Sequence, residues 1–482
     1  MKKVVYLGML LSCMTISCSQ QELTDDSQPI DGQFPTATLG LSGSEYLSIA
    51  FVGNNELSES EALSVLEGFI SEQGDNSRSY NKSSVKLKDK IVVNSKNIES
   101  RTGESNEDHI AFYEFSIESD QGSSGFAIVC GDKRFPNVLA FSDEGNAEKV
   151  EPAQMMIKSA QNMAFRHISK IRHLEDSLRS KTLQKISEDM EIPIAEIDVK
   201  KIEPHIFITD CPETSRGQQV ENPGGNWKAQ VGPLTSTKWN QTSPYNHFAD
   251  YTPQNLSTYF GPNYKNHYPA GCVVIAIAQA CAYFKPNTGL SNFNWTDAST
   301  VSFSVNDTTS AASLMVSRLV DAIAEGSGTT YSEKGGSTNT ENARNFIKKW
   351  GLYMDNETAC TFQNIKSTLD ALRLVYVTSD SRTVIRESRS YVSSGRHAWL
   401  IDGYQIRERT LTRQILKQNN VYCHCNFGWG GNSTGWYLFE TDGSILFESD
   451  DVLQFNDDYT KMYYEHYVYD NDFKCYPNFR KG

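Results

Sequence analysis

The spacing of apolar and polar residues predicts mixed helices and strands in the first half of the chain. Residues 58–73 have an N-cap serine, a glutamate at capping-box spacing and apolar residues three and four apart, which predicts an amphipathic helix. Residues 111–119 and 125–132 have the composition of strands closed by turn residues. Residues 151–190 carry apolar residues at helical spacing among many charges. We therefore predict a small α+β domain over 46–210 that includes this charged helical segment.

The second half of the chain has a different pattern. Residues 272–284 are almost all apolar, which predicts a helix buried on every side. Residues 395–404 and 421–440 predict strands that flank a glycine-rich corner. Residues 211–233 contain Gly, Pro and polar residues without periodicity, as is typical of a linker. We therefore predict a second α+β domain over 234–482, with a helical part and an antiparallel sheet part.

The N-terminus predicts export. Lys2 and Lys3 precede an apolar stretch that is too short to span a bilayer. The following TISC resembles a bacterial lipoprotein signal, in which the chain is cut before the cysteine and the cysteine is lipidated. We therefore expect a signal peptide over 1–17, lipid on Cys18 and a polar tether over 18–45. The protein would then be held on the outer membrane or cell surface by lipid alone, and a processed form could be released.

Composition excludes several classes of function. The chain has 482 residues, of which 38% are apolar, enough for more than one packed domain. Its net charge of −14 argues against a nucleic-acid-binding protein, which needs a basic face to meet phosphates. The ten cysteines form no CxxC pair and no zinc-ligand spacing, so we predict no metal site and no organic cofactor. The sequence does not determine a disulfide pairing.

Three residues of the second half are of the types used in nucleophilic catalysis. Cys272 follows a glycine and begins the apolar helix, where the positive end of the helix dipole favours the thiolate. His397 opens a predicted strand, and Asn426 lies on the next one, from which its side-chain oxygen can orient the imidazole. Each alone is often structural, since free cysteines are commonly buried hydrophobes. Together they follow the Cys, His, Asn order of papain-like peptidases, which predicts a Cys nucleophile and a His base.

A longer set of motifs resembles the streptopain family of cysteine peptidases. The motifs are WNQTSPYN (239–246), the Gly-Cys-Val start of the helix, HAWLIDGY and NFGWGG. FNWTDA (293–298) and the stretch 319–352 agree with the family as well, and 112–145 resembles its propeptide. The resemblance implies a cysteine endopeptidase made as an inactive precursor. It implies a papain-like domain preceded by a propeptide that inhibits it, and protein or peptide substrates.

The resemblance also assigns roles to single residues. It implies that the Gln241 side-chain amide and the backbone N–H of Cys272 form the oxyanion hole. Arg396 stands where the family usually has Gly, in a position that lines the substrate groove. Phe427 replaces a Trp that helps to position the histidine, and Trp429 shields the site from water.

Because the first half resembles a propeptide, we expect activation to require a cut in the predicted linker 211–233. Arg216 and Lys228 are candidate sites for an activating protease of trypsin type, and self-cleavage is an equal alternative.

Two other functions stay open at this point. The chain could be an inactive, peptidase-like surface lipoprotein that binds a partner, or an acyl transferase of transglutaminase type. Asn426 and the propeptide-like half favour hydrolysis over acyl transfer.

Overall fold

The computed structural model describes residues 38–73, 85–95, 108–118, 124–147, 151–210, 222–250, 267–332, 335–385, 390–410, 417–441 and 473–482. The predicted signal peptide, Cys18 and Arg216 lie outside the described residues. Below, residues 38–210 are called the N-terminal half and residues 222–482 the C-terminal half.

Helices occur in both halves. Within the described residues the α-helices are α1 (Gly43–Ala50), α2 (Glu59–Ser71), α3 (Glu151–Met190), α4 (Val199–Ile202), α5 (Cys272–Phe284), α6 (Trp295–Ala298), α7 (Ala311–Gly326), α8 (Thr340–Ile347) and α9 (Phe362–Asp370). Short 3-10 helices cover Ile194–Glu196, Glu203–His205 and Lys348–Trp350. The predicted capping box at α2 is confirmed, since Ser58 and Glu61 each accept a hydrogen bond from the other's backbone N–H.

The strands mostly pair antiparallel. They are β1 (Leu39–Leu41), β2 (Val85–Ser95), β3 (Asp108–Glu118), β4 (Ser124–Cys130), β5 (Val138–Ser142), β6 (Ile206–Ile208), β7 (Asn226–Val231), β8 (Thr330–Ser332), β9 (Gly335–Ser337), β10 (Leu352–Tyr353), β11 (Thr358–Ala359), β12 (Leu374–Ile385), β13 (Ser390–Thr410), β14 (Lys417–Asn426), β15 (Gly435–Thr441) and β16 (Lys474–Lys481). The α+β class predicted for both halves is confirmed.

One large sheet runs through both halves. Its order is β10-β16-β12-β13-β14-β15-β5-β4-β3-β2, with β11 added to β16 and β7 added to β13. The two halves join where β15 pairs with β5, which places Gly435 opposite Ser142 and Tyr437 opposite Ala140. Backbone hydrogen bonds therefore connect the propeptide-like part directly to the strand that follows the glycine-rich corner.

A hydrophobic core also crosses this junction. Phe69 of α2 meets the ring of Tyr422 of β14 edge-on, with 5.0 Å between ring centroids. The buried guanidinium of Arg407 lies 3.9 Å from the Phe69 ring and donates to the Phe69 carbonyl. The core and the sheet are thus both shared by the two halves. The domain limits predicted at 46–210 and 234–482 stay a prediction.

A second core surrounds α5. This helix is buried over nearly its whole length, as its apolar sequence predicts. It packs on one side against α7, through residues such as Val316 and Ile323, and on the other against the sheet, through Tyr376 and Leu400. The helix that begins at Cys272 is thus fixed between a helical layer and the sheet, which is the predicted combination of a helical part and a sheet part.

Two segments differ from their predictions. The end of the predicted tether is folded, because Leu39, Leu41 and Tyr46 pack with the C-terminal part of α3 in a third core. The second part of the predicted linker forms β7, which pairs with β13. Lys228 lies within β7 and forms an ion pair with Glu408 at 3.1 Å.

None of the helices in the described ranges is long and apolar enough to cross a membrane.

Candidate active site

The nucleophile position is built by a backbone turn that only glycine adopts readily. Gly271 has φ of 96°, and a Cβ placed on it would lie 2.4 Å from the carbonyl oxygen of Gly336. Cys272 then begins α5, with its side chain partly exposed while the next ten residues of the helix, 273–282, are buried. The thiol therefore lies at the positive end of a buried helix dipole and faces a surface that a substrate can reach.

His397 lies beside this thiol. It is on β13 opposite Ser379 of β12, and its side chain is 16% exposed. The imidazole contacts the Cys272 side chain. However, the thiol is directed at the Arg396 carbonyl oxygen, 3.8 Å away, and Nδ1 of His397 has no well-aligned hydrogen-bond partner among the described residues. The two groups are adjacent, as the sequence predicts, but they are not aligned for proton transfer in this form.

The other ring nitrogen of His397 is occupied by a carboxylate from the N-terminal half. Nε2 lies 2.8 Å from Oε2 of Glu151, the first residue of α3. Burial alone would lower the pKa of His397, but the adjacent Cys272 side chain and the Glu151 carboxylate outweigh burial and raise the pKa to about 9. Cys272 and Glu151 together therefore favour the imidazolium form of His397. Sequence analysis missed Glu151, because a glutamate at the start of a helix is unremarkable.

Removing the Glu151 charge should lower the thermal stability of the intact chain in a pH-dependent way. The pKa of His397 is raised from its ordinary 6.5 to about 9. The Glu151–His397 ion pair therefore contributes its full share of the free energy of unfolding below pH 6.5, and this contribution is lost as the pH rises through about 9. We expect Glu151→Gln to lower Tm by about 1–3 °C at pH 6 and to have little effect at pH 10. Thermal unfolding should be followed in a Cys272→Ser background that cannot process itself. In this background the pH at which the Glu151→Gln effect is half lost should lie below 9, because the Cys272 thiol that helps to raise the pKa of His397 is missing.

Glu188→Gln is the matched control, since it makes the same change far along the same helix, where the Glu188 carboxylate accepts from Gln184 Nε2 at 2.7 Å. A Glu151→Gln effect that is equal at pH 6 and pH 10 would contradict the ion pair.

Gln241 is positioned next to the nucleophile. Its carbonyl oxygen accepts from the backbone N–H of Ala270 at 2.8 Å, and its own N–H donates to Asn240 Oδ1 at 2.7 Å. These bonds tie it to the segment that enters α5. Its side-chain Nε2 is buried and has no hydrogen-bond partner among the described residues. A buried amide that lacks an acceptor is costly unless a ligand supplies one.

Asn426 has a different environment from the one predicted. Its Oδ1 accepts from Gln279 Nε2 at 3.0 Å, and its Nδ2 donates to the Thr237 carbonyl at 2.8 Å and to Thr235 Oγ1 at 3.1 Å. Both the oxygen and the nitrogen of the Asn426 amide are thereby hydrogen-bonded, and none of these bonds is to His397. In this form Asn426 joins β14 to α5 and to the segment before Trp239. Gln279, which also accepts from the Trp239 N–H at 3.1 Å, was not identified from the sequence.

The three residues expected to line or shield the groove differ in exposure. Arg396 is exposed, and its carbonyl accepts from the Cys272 thiol. Phe427 is 1% exposed and packs against the rings of Trp399 and Tyr437, so it is a core residue and not a groove wall. Trp429 is partly exposed, but its Nε1 is buried without a hydrogen-bond partner among the described residues. Of these three residues, only Arg396 and Trp429 are exposed enough for a substrate to contact them.

The N-terminal half also contacts the glycine-rich corner. Glu144 pairs with Lys238 at 2.6 Å, and its carbonyl accepts from the Ser433 N–H at 2.8 Å. Ser142 donates to the Thr434 carbonyl at 2.8 Å. Together with the Glu151 contact, these bonds place Ser142, Glu144 and Glu151 at the edge of the site.

Across the described part of the chain, no group of three His, Cys, Asp or Glu side chains is placed to hold a metal ion.

Comparisons with known proteins agree with the predicted resemblance. Residues 54–164 match the model of the Spi protease inhibitor, and residues 239–437 match the model of the Peptidase C10 family. A solved structure of a prointerpain A fragment from Prevotella intermedia is 15% identical, with a TM-score of 0.41, over 82% of this chain and 100% of that chain. The search of curated proteins gave no significant match. The resemblance predicted from the sequence is therefore confirmed for residues 239–437, which match the Peptidase C10 family, the streptopain family of cysteine peptidases, and which follow a region that matches a protease inhibitor.

Proposed function

We propose that the chain is the latent precursor of a cysteine endopeptidase in which Cys272 is the nucleophile and His397 is the general base. The observation that carries the proposal is the contact between a partly exposed thiol at the start of a buried helix and a histidine on the neighbouring sheet. An exposed thiol with no adjacent base would be a weaker nucleophile.

Hydrolysis would proceed through an acyl-enzyme. His397 takes the proton of the Cys272 thiol, and the thiolate attacks the carbonyl carbon of the scissile peptide bond. The imidazolium then protonates the leaving amine, and the C–N bond breaks. In the second step His397 takes a proton from water, the resulting hydroxide attacks the thioester, and the carboxylic acid and free thiol are released. The enzyme therefore needs a neutral imidazole for part of each cycle.

The Gln241 amide supports an oxyanion hole in this scheme. The negative oxygen of the tetrahedral intermediate needs donors that are already in place, and Nε2 of Gln241 is a buried donor without an acceptor. The backbone N–H of Cys272, at the first turn of α5, would be the second donor.

Gln241→Ala should therefore lower kcat by about 10²–10³-fold, because one donor to the intermediate is lost. The alkylation rate of Cys272 with a small reagent should be unchanged, since that reaction forms no oxyanion. Peptide hydrolysis and iodoacetamide labelling of the processed enzyme would be measured side by side. Gln241→Glu, of nearly the same size but without the donor, should lose at least as much activity. A parallel loss of labelling would mean that Gln241 supports the thiolate and not the intermediate.

Latency follows from the position of the N-terminal half. Glu151 binds Nε2 of His397 while the Cys272 thiol and the imidazole are not aligned for proton transfer, and the raised pKa of His397 disfavours the neutral imidazole that deacylation needs. The Glu144–Lys238 pair and the β5–β15 pairing keep this carboxylate in place. Separation of the N-terminal half would remove all three contacts together, so a cut between the halves is the expected activating step.

The cut is expected before residue 222. Lys228, one of the two candidate sites, lies in β7, where pairing with β13 and the ion pair with Glu408 protect the backbone. This leaves the segment 211–221, which contains Arg216, as the preferred place. The substrates of the processed enzyme would be proteins or peptides, and the N-terminal half of the same chain would be its inhibitor.

Products distinguish hydrolysis from acyl transfer. The processed enzyme, given a protein substrate and an excess of a primary amine, should release free peptide amines and new carboxylates. Incorporation of the added amine into glutamine side chains would instead indicate a transglutaminase-type reaction. Binding without either product would indicate a protein that only recognises peptides.

A further inference from the structure

Two cysteines far from the nucleophile face each other across a strand pair. Cys360 directly follows β11, and Cys475 lies on β16, which pairs antiparallel with β11. The register places Thr358 opposite Cys475, and the Cys360 N–H continues the ladder by donating to the Phe473 carbonyl at 3.3 Å. Because side chains alternate along a strand, Cys360 and Cys475 lie on the same face as diagonal neighbours.

The two thiols are in direct contact and shielded from water. Cys475 is fully buried, and Cys360 is partly buried in the same core. The Cys360 side chain hydrogen-bonds to Cys475, which raises the pKa of Cys360 and lowers that of Cys475. Cys475 also lies 3.6 Å from the Ala359 carbonyl oxygen, to which its thiol can donate. Cys475 is thus the thiol of the pair that deprotonates more readily.

Cys423 and Cys425 lie near enough to Cys360 to raise its pKa, but Cys475 is the cysteine that hydrogen-bonds to it. Cys423 and Cys425 lie on one face of a single strand, two residues apart, a spacing that a strand cannot bridge. Cys130 and Cys281 are fully buried, the first in the N-terminal half and the second within α5.

We propose that Cys360 and Cys475 form a structural disulfide bond in the mature protein. The side-chain contact already brings the two sulfurs together, and Cys360 lies just past the end of β11, where the backbone can move to the Cα separation that a disulfide needs. The oxidant is a disulfide, such as glutathione disulfide or an oxidised thiol oxidoreductase. The Cys475 thiolate attacks it and forms a mixed disulfide, and the Cys360 thiolate then displaces the second thiol. In total, the two cysteines lose two electrons and two protons, and the oxidant is reduced to two thiols.

The bond would fix the strands that support the site. Cys475 of β16 lies opposite Val377 of β12, and two residues further along β12 Ser379 lies opposite His397. The cross-link would join two parts of the chain that are distant in sequence, which constrains the unfolded chain strongly. Its expected effect is therefore on stability, and it requires no chemistry from Cys272.

The test uses the full chain with Cys272→Ala, which can neither process itself nor exchange disulfides through its nucleophile. The protein would be equilibrated with reduced and oxidised glutathione, quenched in acid, alkylated and digested without reductant. We expect one peptide pair that joins Cys360 to Cys475. Reduction should lower Tm by about 10 °C. In Cys360→Ala and Cys475→Ala the Tm should be lower from the start and insensitive to reductant.

Cys281→Ala is the control, because it removes a buried thiol without a neighbouring sulfur and should keep the reductant-dependent shift. Alkylation of both Cys360 and Cys475 after oxidation, or linkage of either to another cysteine, would overturn the proposal. Neither outcome depends on peptidase activity, so the disulfide and the proposed function can fail separately.

Discussion

Cys272→Ala is expected to abolish peptide hydrolysis, with a loss of at least about 10⁴-fold in kcat. The reason is that no other described thiol combines partial exposure with a histidine contact; Cys281 on the same helix is fully buried. His397→Ala should cost nearly as much, because the thiol then has no base. The double variant should be little worse than either single one, since the two residues act on the same step. The measurement is kcat/KM on a peptide substrate with enzyme processed in the same way.

Processing needs separate control in this experiment, because Cys272→Ala cannot cut itself if maturation is autocatalytic. An inserted site for an unrelated protease within 211–221 would allow every variant to be cut identically. Cys281→Ala is again the matched cysteine control and should retain full activity. Turnover in Cys272→Ala above the background of uncatalysed hydrolysis would rule out the proposed nucleophile, whatever the effect of His397→Ala.

A chain that cannot be cut between its halves is expected to stay latent. Replacing 211–221 with a glycine-serine segment of equal length should keep activity at least about 10²-fold below that of the processed enzyme. A tethered inhibitor is present at an effective concentration of about millimolar, so even modest contacts keep it bound. Those contacts are the Glu151–His397 pair, the Glu144–Lys238 pair and the β5–β15 junction. Peptide hydrolysis by the intact and the cut chain measures the difference.

The matched control carries the same replacement with one recognition site for a specific protease. Adding that protease should restore activity, and N-terminal sequencing should find the new end within the inserted site. If the uncut variant hydrolyses peptides as fast as the processed form, the N-terminal half is not an inhibitor. It would then have another role, such as assisting folding.

Local sequence signals predicted the longer elements well. The capping box of α2, the apolar run of α5 and the helical spacing of α3 are properties of neighbouring residues, and each element follows its prediction closely. The short strands β1 and β7 were not predicted. Each is too short for periodicity to be visible, and each exists because a distant strand, β6 or β13, accepts its hydrogen bonds.

The same distinction applies to the site. Cys272, His397 and Gln241 were predicted because each lies in a compact motif; the structure places His397 beside Cys272 and ties the Gln241 backbone to Ala270, two residues before Cys272. Glu151 was not found, because it meets His397 from 246 residues away in the chain and no local pattern marks it. Asn426 was singled out as well, but its predicted partner was His397, and its observed partners include Gln279, Thr237 and Thr235.

The shared sheet affects the timing of activation. Cutting one peptide bond between 211 and 221 leaves the β5–β15 ladder and the aromatic core around Phe69 intact. The nicked molecule is therefore a two-chain complex whose dissociation requires a row of backbone hydrogen bonds to be exchanged for water. Once free, the β15 side of the peptidase would expose an unpaired strand edge around Trp436, a surface that other extended chains can join. The lifetime of the nicked complex, and not only the rate of the cut, would then set how fast activity rises and how long that edge stays covered.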